Sequence, residues 1–267
     1  MKFSIFTKPW KHIPFESLCQ KISAWGFDGV EFPLRDGYQA QPRTAERDLP
    51  ALAKTAAHYG LSIMSVASST DENIFAACEA AQVPLIRIMA GVDPAKGYME
   101  SERDLIRYLD GLTPLCEKYN VRVGVQNHCG HMVFSTMELR RLLEGFDPAH
   151  ICAVWDAAHS GLAGEQADRA LDIIWDKLWL VNLKNAFWKR ASGPESPKTL
   201  WEPYFTLGRF GMASYEDILR CLTRRGYTSD ICFPAEFTDS SLTDDLVPLE
   251  MAYVKEIMPT LDGLPDA

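Results

Sequence analysis

The chain lacks several features that would narrow its class at once. No run approaches the ~20 consecutive apolar residues that a membrane helix needs. No C-x-x-C pair occurs among its seven cysteines (Cys19, Cys78, Cys116, Cys129, Cys152, Cys221 and Cys232). Their count is odd and most stand inside apolar segments. They read as reduced core thiols, with neither a disulfide frame nor a zinc cluster. Cys129 is the exception, because it adjoins Asn127 and His128 and a site thiol there stays open. A surplus of positive charge is also missing. Against 36 Asp and Glu stand 27 Lys and Arg, a formal net charge of -9. That argues against wrapping nucleic acid or lying on an anionic membrane, since both need a basic face. Collagen-like, coiled-coil and low-complexity composition are absent. The opening stretch Met1–Thr7 is too short an apolar run for a secretory signal, and Pro9 and Lys11 close it. The expectation is a cytoplasmic protein.

What is present is an alternation. With 267 residues, 47% hydrophobic and 24% charged, the composition is that of an ordinary globular protein. Runs that read as strands stand at Lys2–Thr7, Gly29–Phe32, Leu61–Ala67, Leu85–Ala90, Val121–Gln126, Ile151–Trp155, Leu178–Leu183 and Ile231–Glu236. Helical spacing fills the intervals at Phe15–Trp25, Ala45–Tyr59, Asp71–Ala81, Glu102–Tyr119, Met137–Leu143, Ala167–Trp175, Tyr215–Arg225 and Leu246–Met258. Gly26, Gly60 and Gly226 fall where helix C-caps need them. Eight such units of roughly 33 residues, with no linker between them, predict one (β/α)8 TIM barrel, an α/β fold spanning 1–267 as a single domain. An open doubly wound sheet is the rival. It would use fewer strands, and no glycine-rich dinucleotide turn follows the first one. The tail Asp262–Ala267 reads as frayed.

One stretch stands out, Ile151–Gly161, with the sequence I-C-A-V-W-D-A-A-H-S-G. Its apolar run ends in Asp156, and His159 follows three residues later. Alone, the fragment fits a helix cap and a surface histidine equally well. A barrel, however, exposes the C-terminal ends of all its strands on one face, where sites are built. Those ends carry Glu31, then Gln126, Asn127 and His128, then Asp156 and His159, then Asn182 and Lys184, then Glu236. Burying them without partners would cost about 1–3 kcal/mol each, so a convergent polar site is the economical reading.

Taken in order, Val123–His128, Trp155–His159, Val181–Asn185, Leu207–Gly211, Arg225–Tyr227 and Ala235–Phe237 resemble the xylose-isomerase-like TIM-barrel family. The likeness is to its sugar phosphate isomerase/epimerase branch, which includes ketose 3-epimerases, hydroxypyruvate isomerase and inosose dehydratase. Gly29-Val30-Glu31 adds a weaker match in the first half. The resemblance implies one divalent metal held by a Glu after strand five, an Asp after strand six, a His after strand seven and a Glu after strand eight, with the two Glu residues also moving protons. The corresponding residues here are Gln126, Asp156, Asn182 and Glu236, and His159 is the histidine that contacts substrate in such proteins.

Two of these positions depart from the pattern. Gln126 and Asn182 offer neutral amide oxygens where a carboxylate and an imidazole are expected. The set becomes all-oxygen, which suits Mg²⁺ or Mn²⁺ over Zn²⁺, with less charge to hold either. Gln126 cannot accept a proton, so a two-glutamate mechanism is closed. Glu236 remains as a single base, sufficient for a 1,2-proton shift or for loss of water next to a carbonyl. His159 is the expected second catalytic group, with His128 as the alternative, since imidazole titrates in the useful range. Glu31, His128, Lys184, Trp188 and Arg209 are expected to contact substrate with it. A salt bridge from Lys184 to Glu31 or Asp156 is the plainer alternative.

The segment Asn185–Arg209 is too long for an ordinary connection. Its Phe187, Trp188, Trp201 and Tyr204, beside Lys189, Arg190 and Arg209, suit either a lid over a sugar or a contact between copies in a homo-oligomer. The expected partner is a small carbohydrate. A sugar-binding barrel without catalysis is the second class. The endonuclease branch of the fold is a third, disfavoured by six histidines and the negative charge.

Overall fold

The structure, a computed structural model, describes residues 1–261; the tail from Asp262 lies outside the described residues. Eight parallel strands close on themselves. They are β1 (Lys2–Phe6), β2 (Gly29–Pro33), β3 (Ser62–Ala67), β4 (Leu85–Met89), β5 (Arg122–Gln126), β6 (Ile151–Asp156), β7 (Leu178–Asn182) and, after a hairpin, β10 (Asp230–Phe233). The ladder runs in chain order and β10 returns to β1, pairing Lys2 with Asp230 and Ile5 with Phe233. Helices α1 (Phe15–Trp25), α2 (Ala45–His58), α3 (Glu72–Ala80), α4 (Tyr98–Tyr119), α5 (Thr136–Leu143), α6 (Ala157–Leu162), α7 (Ala167–Ile174), α8 (Tyr215–Arg224) and α9 (Thr243–Ile257) follow the strands. This is a TIM barrel, as the alternation predicts.

Two apolar layers hold it. The larger lies between sheet and helices, where Val30, Phe32, Val123, Ile151, Trp155, Val181 and Ile231 meet helix residues such as Leu18, Ile74, Leu139 and Ile218. Burying each of the large side chains contributes about 1.5–3 kcal/mol. Trp155 packs here, as its place before Asp156 suggests, and its indole N–H donates to Thr136 Oγ1 at 3.1 Å. A smaller cluster of Phe6, Ala67, Leu85, Cys152, Val154, Leu180 and Cys232 fills the inside of the barrel. Gly124 belongs to that interior. A β-carbon there would stand 2.7 Å from Val154 Cγ2 and 2.9 Å from Leu85 Cδ1, so only glycine lets the layer close.

Four differences from the expected elements bear on the site. First, α6 starts directly on β6. Asp156 is its N-cap, accepting from the His159 backbone N–H at 3.2 Å. Second, β10 stops at Phe233, three residues short of Glu236. Ala235 adopts φ 53°, a left-handed conformation that costs a residue with a β-carbon roughly 1–2 kcal/mol. That turn aims the following Glu236. Third, α4 begins at Tyr98, earlier than Glu102, because the chain turns into it at Gly97 with φ 77°.

Fourth, the segment Asn185–Arg209, expected as a long connection that is either a lid or a contact between copies, holds an antiparallel ribbon, β8 (Asn185–Arg190) with β9 (Trp201–Thr206). Aromatic and β-branched residues favour such pairing, and Phe187 stacks on its cross-strand partner Tyr204 at 5.1 Å. Asn185 anchors the base. Its amide donates to the Gly208 and Ala213 carbonyls, both at 2.7 Å, and accepts from the Ala186 and Ala213 N–H groups, both at 2.9 Å. Gly211 makes room for it, since a β-carbon there would lie 2.0 Å from Asn185 Oδ1.

Candidate active site at the barrel mouth

At the C-terminal ends of the strands, the polar residues form two strings. The first crosses β2 to β6. Glu31 receives the Arg87 guanidinium through both oxygens, Nε at 2.6 Å and Nη2 at 3.0 Å, and the Ser65 hydroxyl at 3.1 Å. A further Arg87 N–H goes to Gln126 Oε1. Gln126 Nε2 then donates to Asp156 Oδ2 at 2.7 Å. Glu31, Ser65, Arg87, Gln126 and Asp156 are all buried. Burial disfavours the Arg87 charge, but the Glu31 carboxylate more than offsets it and raises the guanidinium pKa. The cation also lies 4.8 Å from the centre of the Phe6 ring.

The second string is shorter and more open. Glu236 accepts from Lys184 at 2.8 Å and from Lys8. Burial pushes the Glu236 carboxyl up. The two ammonium groups outweigh burial and hold it well below the ordinary carboxylate range. Lys184 is buried and lies 4.0 Å from the centre of the Phe205 ring. Lys8 is 43% exposed and the Glu236 side chain 28%.

His159 lies between the strings. Its ring is fully buried, and burial takes its pKa down to about 3, with Lys184 and His128 acting the same way and Asp156 and Glu236 opposing them. It is therefore neutral at physiological pH. The expectation that it titrates in the useful range is overturned by desolvation. The Cys129 backbone N–H donates to His159 Nδ1 at 3.3 Å, so the proton of the neutral ring is on Nε2. That Nε2 has no partner, although Asp156 Oδ2 is 4.0 Å away. Asn182 Oδ1 is likewise buried and without a partner. Asn127 holds the β6 end, accepting from the Asp156 N–H at 2.7 Å.

The structure thus brings together Glu31, Gln126, Asp156, His159, Asn182, Lys184 and Glu236. His128 joins them, its ring centre 4.0 Å from that of His159. Lys184 forms its bridge to Glu236, where Glu31 or Asp156 was the expected partner. Arg209 is not brought to the site. It pairs with Glu256 and stacks on Tyr253 at 4.0 Å, on the α9 surface. Trp188 docks on the end of α6, its indole N–H donating to the Leu162 carbonyl at 2.9 Å. Sequence reasoning missed Arg87, Ser65 and Lys8. Only Arg87 carried a signal, a charge in the middle of the apolar run Leu85–Met89.

A sequence model of the xylose isomerase-like TIM barrel family matches residues 19–257. The chain belongs to that family. Inosose dehydratase from Bacillus velezensis is 24% identical over 155 residues, 56% of this chain and 51% of that protein. The chain thus spans about half the length of the curated relative it matches. Among solved structures, the probable 3-DHS dehydratase from Bacillus anthracis superposes with a TM-score of 0.71 at 16% identity, covering 96% of this chain and 99% of that one. D-psicose 3-epimerase from Clostridium cellulolyticum H10 does so with a TM-score of 0.69 at 11% identity, covering 97% and 99%. At these identities the structural likeness is one of fold.

Within this family-type barrel, the four positions implied for a divalent metal do not fit one. Gln126 Oε1 is taken by Arg87, Asp156 Oδ2 by the Gln126 amide, Asp156 Oδ1 by the α6 cap, and both Glu236 oxygens by lysines. Asn182 Oδ1 alone is free. A separate group that could hold a metal ion is His128, Cys129 and His159, whose ligand atoms lie within 4.8 Å of one another. Nitrogen and sulfur there are the donors of Zn²⁺ chemistry and not of Mg²⁺ or Mn²⁺. The Cys129 thiol is pushed up by burial, which works against the thiolate such a site needs. Among the described residues, no helix is long and apolar enough to cross a membrane.

Proposed function

We propose that the chain is an isomerase- or dehydratase-type enzyme that acts on a small keto-sugar, keto-polyol or sugar acid by removing a proton next to a carbonyl. The observation that carries this reading is Glu236, an ionised carboxylate at the open end of the barrel, held between Lys184 and Lys8 within the field of a buried neutral imidazole. The curated relatives' dehydratase activity supports loss of water as the outcome.

In this reading Glu236 takes a proton from the carbon beside the carbonyl. The C–H electrons become the enolate double bond, and the carbonyl oxygen gains the charge. Lys184 and His159 Nε2–H donate to that oxygen. A neutral imidazole is a fitting donor there because it gives a hydrogen bond without giving up its proton. As Lys184 turns toward the enolate, Glu236 loses a cationic partner and its proton affinity rises, which strengthens the base as the charge develops. The enolate then expels the hydroxyl of the β-carbon, which takes the proton from Glu236 and leaves as water. Where the carbon that lost the proton bears a hydroxyl, that hydroxyl instead passes its proton to the former carbonyl oxygen, and Glu236 returns its proton to the former carbonyl carbon, giving the isomer. Epimerisation needs a second acceptor on the opposite face, and Gln126 cannot be one.

Mg²⁺ or Mn²⁺ has no part in this scheme, because the oxygens that would hold it are engaged. The reduced thiols suit a cytoplasmic setting. The exposed Leu200 and Trp201 of the ribbon suit contact between copies.

The test is a panel of keto-inositols, ketohexoses and dehydro sugar acids, each incubated with the protein and followed by NMR for an isomer or for water loss. Turnover that disappears in Glu236→Gln supports the proposal. Saturable sugar binding with no product would favour the non-catalytic barrel, to which the locked Gln126 also points.

A further inference from the structure

We propose that Lys184 and Lys8 supply, as fixed side-chain charge, what a divalent cation would supply at this barrel mouth, and that Arg87 closes the same positions from the other side. The catalytic half of this inference rests on the function proposed above; the half that concerns metal binding does not.

The donor inventory is the first argument. Mg²⁺ demands near-octahedral oxygen ligation and Ca²⁺ takes six to eight oxygens. Gln126, Asp156, Asn182 and Glu236 leave one side-chain oxygen without a partner, Asn182 Oδ1. Each of the other oxygens already gives one lone pair to a donor, and for Gln126 Oε1 and both Glu236 oxygens that donor is a cation, so an ion ligated there would sit beside Arg87, Lys184 and Lys8.

Charge is the second argument. Glu31, Asp156 and Glu236 face Arg87, Lys184 and Lys8, three against three, each carboxylate but Asp156 directly bridged. Asp156 is satisfied by an amide and a helix cap. A dication added to this balanced set meets repulsion from three cations, two of which, Arg87 and Lys184, are buried where screening is weak.

Placement is the third. Lys184 follows Asn182 by two residues at the end of β7, so the strand that offers only an amide oxygen at Asn182 delivers an ammonium group just beyond it. Phe205 lies under that ammonium at 4.0 Å. Lys8 comes from the end of β1 and meets the same carboxylate. Asn182 Oδ1 is then left to accept a substrate hydroxyl, and the ammonium of Lys184 to pair with the enolate oxygen.

The experiment is a Mn²⁺ titration of the purified protein, stripped with EDTA and dialysed, with free Mn²⁺ read by electron paramagnetic resonance. Mn²⁺ is the probe throughout, and circular dichroism melts confirm that each variant is folded. The wild type is expected to bind Mn²⁺ no tighter than about 1 mM. Lys8→Met/Lys184→Met, which frees both Glu236 oxygens, is expected to bind at least roughly tenfold tighter, and adding Glu236→Gln is expected to abolish the gain. Lys8→Met alone removes an exposed side chain and should give part of the gain in a fold that is not at risk. Wild-type binding in the micromolar range that is lost in Asp156→Asn or Glu236→Gln would overturn the proposal. So would a lysine-free, folded variant that gains nothing. The titration needs no turnover, so its result stands apart from whether the proposed reaction is observed.

Discussion

The two strings of the barrel mouth contain the same kinds of group and differ in what surrounds them. Glu31, Arg87, Gln126 and Asp156 are each at most 6% exposed and fully cross-bonded. Lys8, Glu236 and Lys184 reach solvent through Lys8 and Glu236. A buried ion pair cannot give up a partner without leaving an uncompensated charge in low dielectric, whereas an open pair can exchange a partner for water or a ligand. The contrast teaches a division of labour. On the function proposed above, the β2–β6 side serves as scaffold, and the side formed by β1, β7 and β10 has the freedom that chemistry requires.

The sharpest way to break this comparison is Arg87→Met. Removing the guanidinium leaves Glu31 buried and unpaired, and unfolding in urea should show a loss of about 3–5 kcal/mol. Arg87→Met/Glu31→Met should recover most of that loss, since an apolar pair of similar volume is often neutral in such a place. A small effect of Arg87→Met would mean that the first string is as adaptable as the second.

The next contrast concerns pH. The His159 ring is held at about 3 by burial, while an unfolded histidine titrates near 6.5. Between those values the unfolded chain binds a proton that the folded chain refuses, so stability falls as pH drops from about 6.5 toward 3. Asp230, at the start of β10, behaves oppositely. Burial raises it to about 7, the Ser4 hydroxyl lowering it less, against about 3.9 unfolded. The folded chain keeps a proton that the unfolded chain has released, so stability falls as pH rises from about 4 to 7. Melting curves of His159→Gln should flatten the acid limb. Those of Asp230→Asn should flatten the neutral limb and melt above wild type at pH 8.

Arg209→Ala should do least. Its pair with Glu256 is exposed and its side chain lies against the outside of α9, so stability should change by no more than about 1 kcal/mol. Turnover of any substrate found should stay within a factor of two or so, read as kcat/KM. A large loss of turnover would return Arg209 to the site.

The fold was legible because hydrophobic runs of strand length alternate with helical spacing eight times, and no tertiary information is needed to count them. The positions of Glu31, Gln126, Asp156 and Asn182 followed from strand ends alone. Lys8 did not follow, because nothing beside Pro9 says that its ammonium meets a carboxylate 228 residues later. Arg87 sits where an inward-facing residue of a barrel strand belongs, and its charge was the one clue to a buried partner. The neutrality of His159 is a property of burial, which residue type does not carry. Arg209 was misplaced because a basic residue after a long aromatic segment looks the same whether it faces the mouth or the neighbouring helix. The β8–β9 ribbon was hidden in a stretch whose turn, 191–200, gives no compact hairpin signal.

The central claim is that Glu236 moves the proton. It is tested most directly by solvent exchange in D₂O, following deuterium entry beside the carbonyl of the substrate that the panel identifies, in wild type and in Glu236→Gln. The account predicts exchange in wild type and a loss of about 10²–10⁴-fold in the variant, with the melting temperature nearly unchanged. Exchange at the wild-type rate in Glu236→Gln would contradict it.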